Sequence, residues 1–221
     1  EYYVDWSEGT PILKEREAEI KEYDYDYEFR HLGYTASLAG AEVKQLAALR
    51  ADARAMADAI ESKRSLRKWA RAAVEAVVHP RLTYQLAFSK ASRVDILHVE
   101  EGFSTCLKHA MNLASTMPWA FVSGSVARGG LGVKRLETAV AQQRLAHIVG
   151  MLRYGTSKER MIIKADLWQA QVWAGIGRPI TTIDRWTAAR LVKNMEGAPW
   201  TAVAMVQAAE MGYRIRGVPE Y

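Results

Sequence analysis

Apolar residues recur at helical spacing along most of this chain. Between residues 41 and 60 they are separated by three or four positions, which places them on one helix face: Val43, Leu46, Leu49, Ala53, Met56, Ala57 and Ile60. The segment "RSLRKWARAAVEAVVHP" at 64–80 has a second stripe of this kind. We predict that Pro80 ends this second helix, because an interior proline lacks an N–H and clashes with the preceding turn.

The rest of the chain is predicted to alternate between helices and polar or glycine-rich connections. "RLTYQLAF" at 81–88 is apolar but of ambiguous type, and Ser89 or Ser92 is a candidate cap for a helix that ends near Leu113. The proline and glycines of residues 115–132 predict a loop. Further helices are predicted at about 133–153, 158–174, 181–195 and 200–211.

Strand signals are confined to the N-terminal region. Tyr23, Tyr25 and Tyr27 alternate with acidic residues, which favours an extended strand, and "FRHLGYTAS" at 29–37 predicts a strand and a turn. The expected fold is therefore mainly α, a helical bundle with a small β element near the N-terminus. We divide it into an acidic extension (1–30), a strand with helices (31–125) and C-terminal helices (126–221).

The composition indicates a folded protein and argues against a membrane-spanning or a disulfide-rich one. With 49% hydrophobic residues in 221 positions, the chain is long enough to bury a sizeable core. No apolar stretch is long enough to span a bilayer. The single cysteine, Cys106, excludes an intramolecular disulfide framework. We expect a reducing intracellular compartment, with nucleus and organelle not distinguished.

Charge is unevenly distributed along the sequence. Residues 1–30 contain ten acidic and four basic side chains, whereas the remaining 191 residues contain 15 acidic and 26 basic ones. A basic body suits a polyanionic partner such as a nucleic acid. The alternative is that the basic character, with a pI near 9.3, reflects only solubility or compartment.

Three glycines, Gly129, Gly130 and Gly132, stand directly before a predicted helix. They permit either a tight turn that positions the helix or the approach of an anion to the exposed N–H groups of its first turn. The spacing lacks the third glycine of a dinucleotide-binding fingerprint and the Gly-Lys-Ser/Thr of a P-loop. From local physics, the tight turn is the favoured alternative.

Three segments, taken in order, resemble the region that follows the catalytic motifs of LINE-type (non-LTR) retroelement reverse transcriptases. Phe29, Leu32, Gly33 and Tyr34 match a "YLG" strand near the primer grip, and residues 80–84 match an "LPRLTYGL"-like stretch. The family's "TPxAFxxxxxxxGGLGxPSL" stretch, which leads into the thumb, is matched by Pro118, Ala120, Phe121, Gly129, Gly130, Leu131 and Gly132. The resemblance covers roughly residues 29–155. It implies a primer-grip and thumb region.

The sequence also departs from that pattern. His31 stands where the family has Tyr, Gln85 replaces a glycine, and Val133-Lys134-Arg135 replaces Pro-Ser. The adjacent aspartates that hold two metal ions in polymerases are absent, since Asp24 and Asp26 are separated by a tyrosine. We expect no enzymatic activity, no metal site and no cofactor.

The resemblance implies a surface that grips the backbone of an RNA or RNA–DNA duplex. Such a surface needs lysines, arginines and helix N-termini aimed at phosphates. The candidate contacts are Arg64, Arg67, Lys68 and Arg71 on the second helix, and Arg128, Gly129, Gly130, Gly132, Lys134 and Arg135 at the glycine turn.

A second hypothesis makes the chain a retroelement-derived accessory subunit of a large assembly, such as an organellar ribosome or a respiratory or photosynthetic complex. Its predicted interface anchors are Trp168, Trp173, Trp186, Met205 and Met211, although the methionine stripe would ordinarily be core. Residues 164–192 are most simply a packed helical hairpin. A DNA-reading helix-turn-helix, with Thr181, Thr182 and Arg185 in a groove, is the less favoured alternative.

Overall fold

The computed structural model describes residues 2–5, 12–15, 18–19, 29–31, 34–36, 42–63, 69–195 and 197–215. The chain forms two compact units, Glu1–Ala41 and Glu42–Tyr221. The finer division predicted at residues 30 and 125 stays a prediction. All of the net positive charge lies in the second unit, because residues 31–41 contain no Lys, Arg, Asp or Glu.

The first unit contains short antiparallel strands. Strands β1 (Tyr2–Asp5), β2 (Ile12–Glu15) and β3 (Ala18–Glu19) form one sheet in that order. Strands β4 (Phe29–His31) and β5 (Tyr34–Ala36) pair antiparallel with Phe29 opposite Ala36. The strand predicted within 29–37 is therefore confirmed, whereas the residues of the predicted turn, 32 and 33, lie outside the described residues. The predicted strand at residues 23–27 lies outside the described residues.

The second unit is helical. Its helices are α1 (Glu42–Ser62), α2 (residues 70–88), α3 (Arg93–Ala110), α4 (Trp119–Ser123), α5 (Leu136–Tyr154), α6 (Ser157–Ala174), α7 (Arg185–Leu191) and α8 (Trp200–Glu210). Single 3₁₀ turns occur at Val126–Arg128, Ile180–Thr182 and Val192–Asn194. The predicted fold class, mainly α with a small β element, is confirmed.

Helix α2 corrects the prediction that Pro80 ends the second helix. It runs without interruption from an α-helical turn, Ala70–Ala73, through a π-helical turn, Val74–Val78, into the α-helix His79–Phe88. Pro80 lies in the first turn of that last segment. The π turn shifts the carbonyls before Pro80 out of α-helical register, which accommodates a ring that would otherwise clash with them.

Capping residues set two of the other helix boundaries. Ser92 accepts the N–H of Asp95, whose side chain accepts the N–H of Ser92, so that α3 begins at Arg93 as predicted. Thr156 and Glu159 form the same arrangement before α6. The loop predicted at 115–132 is partly wrong, because it contains α4.

Two hydrophobic clusters lie within the helical unit, and α5 passes through both. The first is formed by α1, α2, α3 and the start of α5, including Leu136 and Val140. The second is formed by the end of α5 from Ile148 onward, together with α6, α7 and α8. Among the described residues, no helix has the length and apolar character needed to cross a bilayer.

Arg144 is fully buried on α5. It lies between Val140, which belongs to the first cluster, and Ile148, which belongs to the second. Its guanidinium donates to the backbone carbonyls of Leu86, Ala87, Ser89 and Ala91, and to the side-chain oxygen of Gln207 on α8. Hydrogen bonds of this kind stabilise a buried cation that would otherwise be costly. Arg144 therefore holds the end of α2 and the α2–α3 connection against α8.

Candidate functional site

The glycine turn is closed by backbone hydrogen bonds to α4 and the residues after it. The N–H of Leu131 donates to Phe121 O at 3.1 Å, that of Gly132 to Gly124 O at 2.8 Å, and that of Val133 to Val122 O at 3.1 Å. This ladder folds residues 129–133 back against 121–124. The start of α5 is thereby fixed in position.

Glycine is needed at two points of this turn for different reasons. A Cβ on Gly130 would lie 2.3 Å from Gly124 O and 2.6 Å from Gly124 Cα, closer than real side chains approach a backbone. Gly132 has a φ of +69°, in the left-handed region that favours glycine. The turn therefore needs glycine at position 130 for close backbone packing and at position 132 for its positive φ.

An internal carboxylate lies at the N-terminus of α5. Glu100, on α3, is 2% exposed, and its Oε1 accepts the N–H of Leu136 at 2.7 Å. Its other oxygen lies 3.3 Å from Arg135 Nη2. Burial raises the pKa of Glu100, against the opposing effects of the Leu136 hydrogen bond and of Arg135. Glu100 thus holds the place that an anion would take at the end of this helix, and the geometry fits the tight-turn alternative.

Arg71, on α2, joins that helix to the glycine turn. Its Nη1 donates to Leu131 O at 2.8 Å, its Nη2 donates to Gly132 O at 3.3 Å, and its Nε donates to Glu75 at 3.0 Å. These contacts use three of the five N–H groups of the guanidinium. The other two make no hydrogen bond within the part of the chain that the structure describes.

An open groove of about 620 Å³ lies between α2, the glycine turn and α5, and is called the glycine-turn groove below. Two cations border it, Arg71 and Lys134, and one carboxylate, Glu75, is paired with Arg71. Lys134 is exposed, and no hydrogen bond or ion pair to it is found within the described residues. The other polar residues of the lining are His79, Thr83, Gln142 and Gln143.

Two buried polar atoms of the groove lining have no hydrogen-bond partner in the part of the chain that the structure describes. They are His79 Nε2 and Thr83 Oγ1. Burial, together with the nearby charge of Lys134, lowers the pKa of His79 to about 4, with Glu75 acting in the opposite direction. His79 is therefore a neutral imidazole at physiological pH. His79 therefore adds no charge to the groove wall.

The structure brings together only part of the predicted duplex contact. Arg71, Gly132 and Lys134 line the glycine-turn groove, whereas Arg128 and Gly129 are exposed on the turn itself. Gly130 is packed against the backbone, and Arg135 lies within 3.4 Å of both Glu100 and Glu137. Arg64, Arg67 and Lys68 lie outside the described residues.

The predicted interface anchors divide into surface and core residues. Trp168 is 58% exposed and Trp186 is 85% exposed. Trp173 packs against the second cluster, and Met211 is half-buried. Met205 is 1% exposed and belongs to the core of that cluster, so the ordinary core interpretation of the methionine stripe holds for it.

Other candidate chemistry finds little support in the geometry. Thr181 is buried, which does not fit a helix-turn-helix contact to a groove of DNA. The Cys106 thiol is buried and donates to Ala57 O. No group of three or more His, Cys, Asp or Glu side chains suited to a metal ion occurs among the described residues.

Glu100 and Arg144 are buried charged side chains whose structural roles were not predicted from the sequence. Both stand at core-facing positions of their helices: Glu100 follows Ile96 by four and precedes Phe103 by three, and Arg144 lies four positions from both Val140 and Ile148. A charged residue on an apolar stripe was the signal that was available.

No protein-family model, curated protein or solved structure matches this chain. The motif resemblance across residues 29–155 therefore stays a hypothesis.

Proposed function

We propose that this chain is a non-catalytic nucleic-acid-binding module that contacts the phosphate backbone of an RNA or RNA–DNA duplex at the glycine-turn groove. The observation that carries this proposal is the groove itself, where Arg71 and Lys134 lie beside a wall of neutral hydrogen-bonding side chains. The proposal also agrees with the motif resemblance to a reverse-transcriptase thumb.

Charge supports a phosphate ligand at this groove. Lys134 offers an ammonium group that makes no ion pair within the described residues, and two N–H groups of Arg71 make no hydrogen bond there. The helical unit around the groove carries the entire basic excess of the chain. Such an excess attracts polyphosphate at long range, and the groove supplies short-range contacts.

The chemistry of the lining favours backbone contact over base reading. The amides of Gln142 and Gln143 can donate to phosphate or ribose oxygens as readily as to bases. A-form duplexes are recognised largely by shape and by backbone contacts of this kind. We therefore expect binding with little sequence preference and strong dependence on salt.

Fluorescence anisotropy with a short labelled RNA duplex tests the proposal. The purified full chain is titrated at about 50 mM and about 200 mM salt, a range over which backbone contacts lose much of their affinity. Lys134→Ala should weaken binding and reduce the slope of log K against log salt by about one. Lys193→Ala, at another exposed lysine that does not line the groove, should leave the slope close to that of the wild type.

Two outcomes would count against the proposal in different ways. An absence of duplex binding at the lower salt concentration would refute nucleic-acid binding by this chain. Binding that is equally affected by Lys134→Ala and Lys193→Ala would refute the groove as its site.

A second candidate function, an accessory subunit of a large assembly, is favoured by one observation. Trp168 and Trp186 are both more than half exposed, and tryptophan is enriched where proteins meet. Isolation of the native protein under mild conditions, followed by measurement of subunit stoichiometry, tests it. Recovery as a free monomer would exclude stable membership of an assembly.

A further inference from the structure

Helix α6 presents apolar side chains on two opposite faces. Ile163, Leu167 and Ala170 face the second cluster and are buried. On the other side, Met161, Ala165, Trp168 and Val172 are exposed and follow one another at intervals of four, three and four residues. These four residues are called the α6 stripe below. Their spacing is that of the a and d positions of a coiled-coil seam.

The α6 stripe is more than scattered surface hydrophobicity. Met161 is 67% exposed, and Trp168 and Val172 are each 58% exposed, with Ile162 at 55% beside them. A helix that only covers a core is polar on its outer face. A contiguous apolar stripe containing a large aromatic residue marks a docking surface.

The charged side chains nearest the α6 stripe are lysines. At 100° per residue, Lys158 and Lys164 lie on either side of the stripe, within about 70° of its centre, the first exposed and the second half-buried. The nearby acid Glu159 is engaged with Thr156, whose N–H it accepts in the cap of the helix. The other carboxylate of α6, Asp166, is half-buried and lies, like Glu159, at least about 130° around the helix from the stripe, so that Lys158 and Lys164 are the charges that border the apolar surface on α6.

We propose that the α6 stripe docks an amphipathic helix of a protein partner, in which acidic residues border the apolar face. The seam-like spacing fits a helix laid along α6, since side chains at these positions interlock with those of a facing helix. The cationic border selects for acidic flanks on that helix. This surface is separate from the glycine-turn groove and does not depend on nucleic-acid binding there.

Other occupants fit the same surface less well. A second copy of this chain would bring the same two lysines against the stripe, because Glu159 and Asp166 lie on another side of α6. A single-stranded nucleic acid needs successive aromatic platforms for its bases, whereas three of the four stripe residues are aliphatic. An anionic membrane would match the positive charge of the lysines. A membrane surface does not fit the narrow seam, in which the small residue Ala165 lies between Met161 and Trp168.

The probe is a labelled synthetic peptide with leucine at the a and d positions and glutamate at e and g. Its matched control has lysine at e and g. With the full chain at low salt, we expect the acidic peptide to bind at least about tenfold more tightly than the basic one, which corresponds to about 1.4 kcal/mol. The double variant Lys158→Glu/Lys164→Glu should reverse this preference.

Two tryptophan variants locate the binding surface. Trp168→Ser should reduce acidic-peptide affinity about tenfold or more, as expected for an aromatic anchor. Trp186→Ser, at a more exposed tryptophan on α7, should leave the affinity unchanged. Circular dichroism checks that both variants keep the helical fold.

Several results would overturn the proposal. Equal affinity for the two peptides, or equal effects of the two tryptophan variants, would show that the α6 stripe does not bind an acidic helix. A dimer in sedimentation equilibrium that Trp168→Glu dissociates would assign the stripe to a second copy of the chain. Binding to phosphatidylserine vesicles or to single-stranded RNA that Trp168→Ser abolishes would assign it to a membrane or to a nucleic acid.

Discussion

Substitution of Gly130 by alanine tests the inference that the glycine turn is a packed structural element. The new Cβ would lie 2.3 Å from Gly124 O, whereas real side chains essentially never come within 3.0 Å, so the two backbone segments must separate by about 0.7 Å. The nearest atoms belong to the backbone and cannot rotate away. The hydrogen bond from the Gly132 N–H to Gly124 O, at 2.8 Å, lies directly in the displaced region.

The expected cost follows from two contributions. Overpacking of a closed site costs about 1–3 kcal/mol, and each weakened backbone hydrogen bond costs about 1 kcal/mol. We therefore expect Gly130→Ala to lower the free energy of unfolding by about 2–4 kcal/mol. Urea denaturation followed by tryptophan fluorescence measures this change at a constant m-value.

Gly150→Ala is the matched control. Gly150 lies in the interior of α5, and no atom lies within 4 Å of the position that its Cβ would take. Alanine there should raise stability by about 0.5–1 kcal/mol through helix propensity. If Gly130→Ala instead remains within about 0.5 kcal/mol of the wild type, the close backbone packing of the turn is wrong.

Two further predictions concern buried polar side chains. Because the folded-state pKa of His79 is about 4 against 6.5 unfolded, the unfolded state binds more protons between these values. His79 should therefore reduce stability as the pH falls from 6.5 to 4, by at most about 3 kcal/mol. Denaturation of His79→Leu across this range should lack that loss, and a parallel pH profile would contradict it. Arg144→Lys should destabilise by about 3–5 kcal/mol, because one ammonium group cannot reach all the carbonyls that the guanidinium satisfies. A midpoint of unfolding equal to that of the wild type would show that these contacts contribute little.

Helices with strong periodicity and side-chain caps were predictable from the sequence. Residues 41–60 gave one face at a spacing of three and four, and α1 forms at Glu42–Ser62. Ser92 was one of two predicted caps, with Ser89 as the alternative, and the signal consists of residues close together in the sequence. Pro80 was misjudged because its effect depends on the π-helical turn before it, and no local pattern announced that turn.

The partners of the charged side chains could not be predicted from the sequence. Arg71 and Arg135 were both predicted as phosphate contacts, yet Arg71 meets carbonyls about sixty positions later in the chain, and Arg135 meets a carboxylate 35 positions earlier. Periodicity identifies which face a side chain occupies. It carries no information about which distant groups share that face, and these partners decide whether a cation is available to a ligand.

The position of Glu100 limits what the glycine turn can bind. A helix N-terminus attracts one anion, and at α5 that anion is already a buried carboxylate of the same chain, hydrogen-bonded to Leu136 N–H. A phosphate approaching from solvent would find the Leu136 N–H already hydrogen-bonded to Glu100, and would contact Lys134 and Arg71 along the side of the groove. Any duplex contact at this site must therefore run past the flank of α5. The side chains that decide affinity are those of the groove wall, and the glycines act by holding that wall in position.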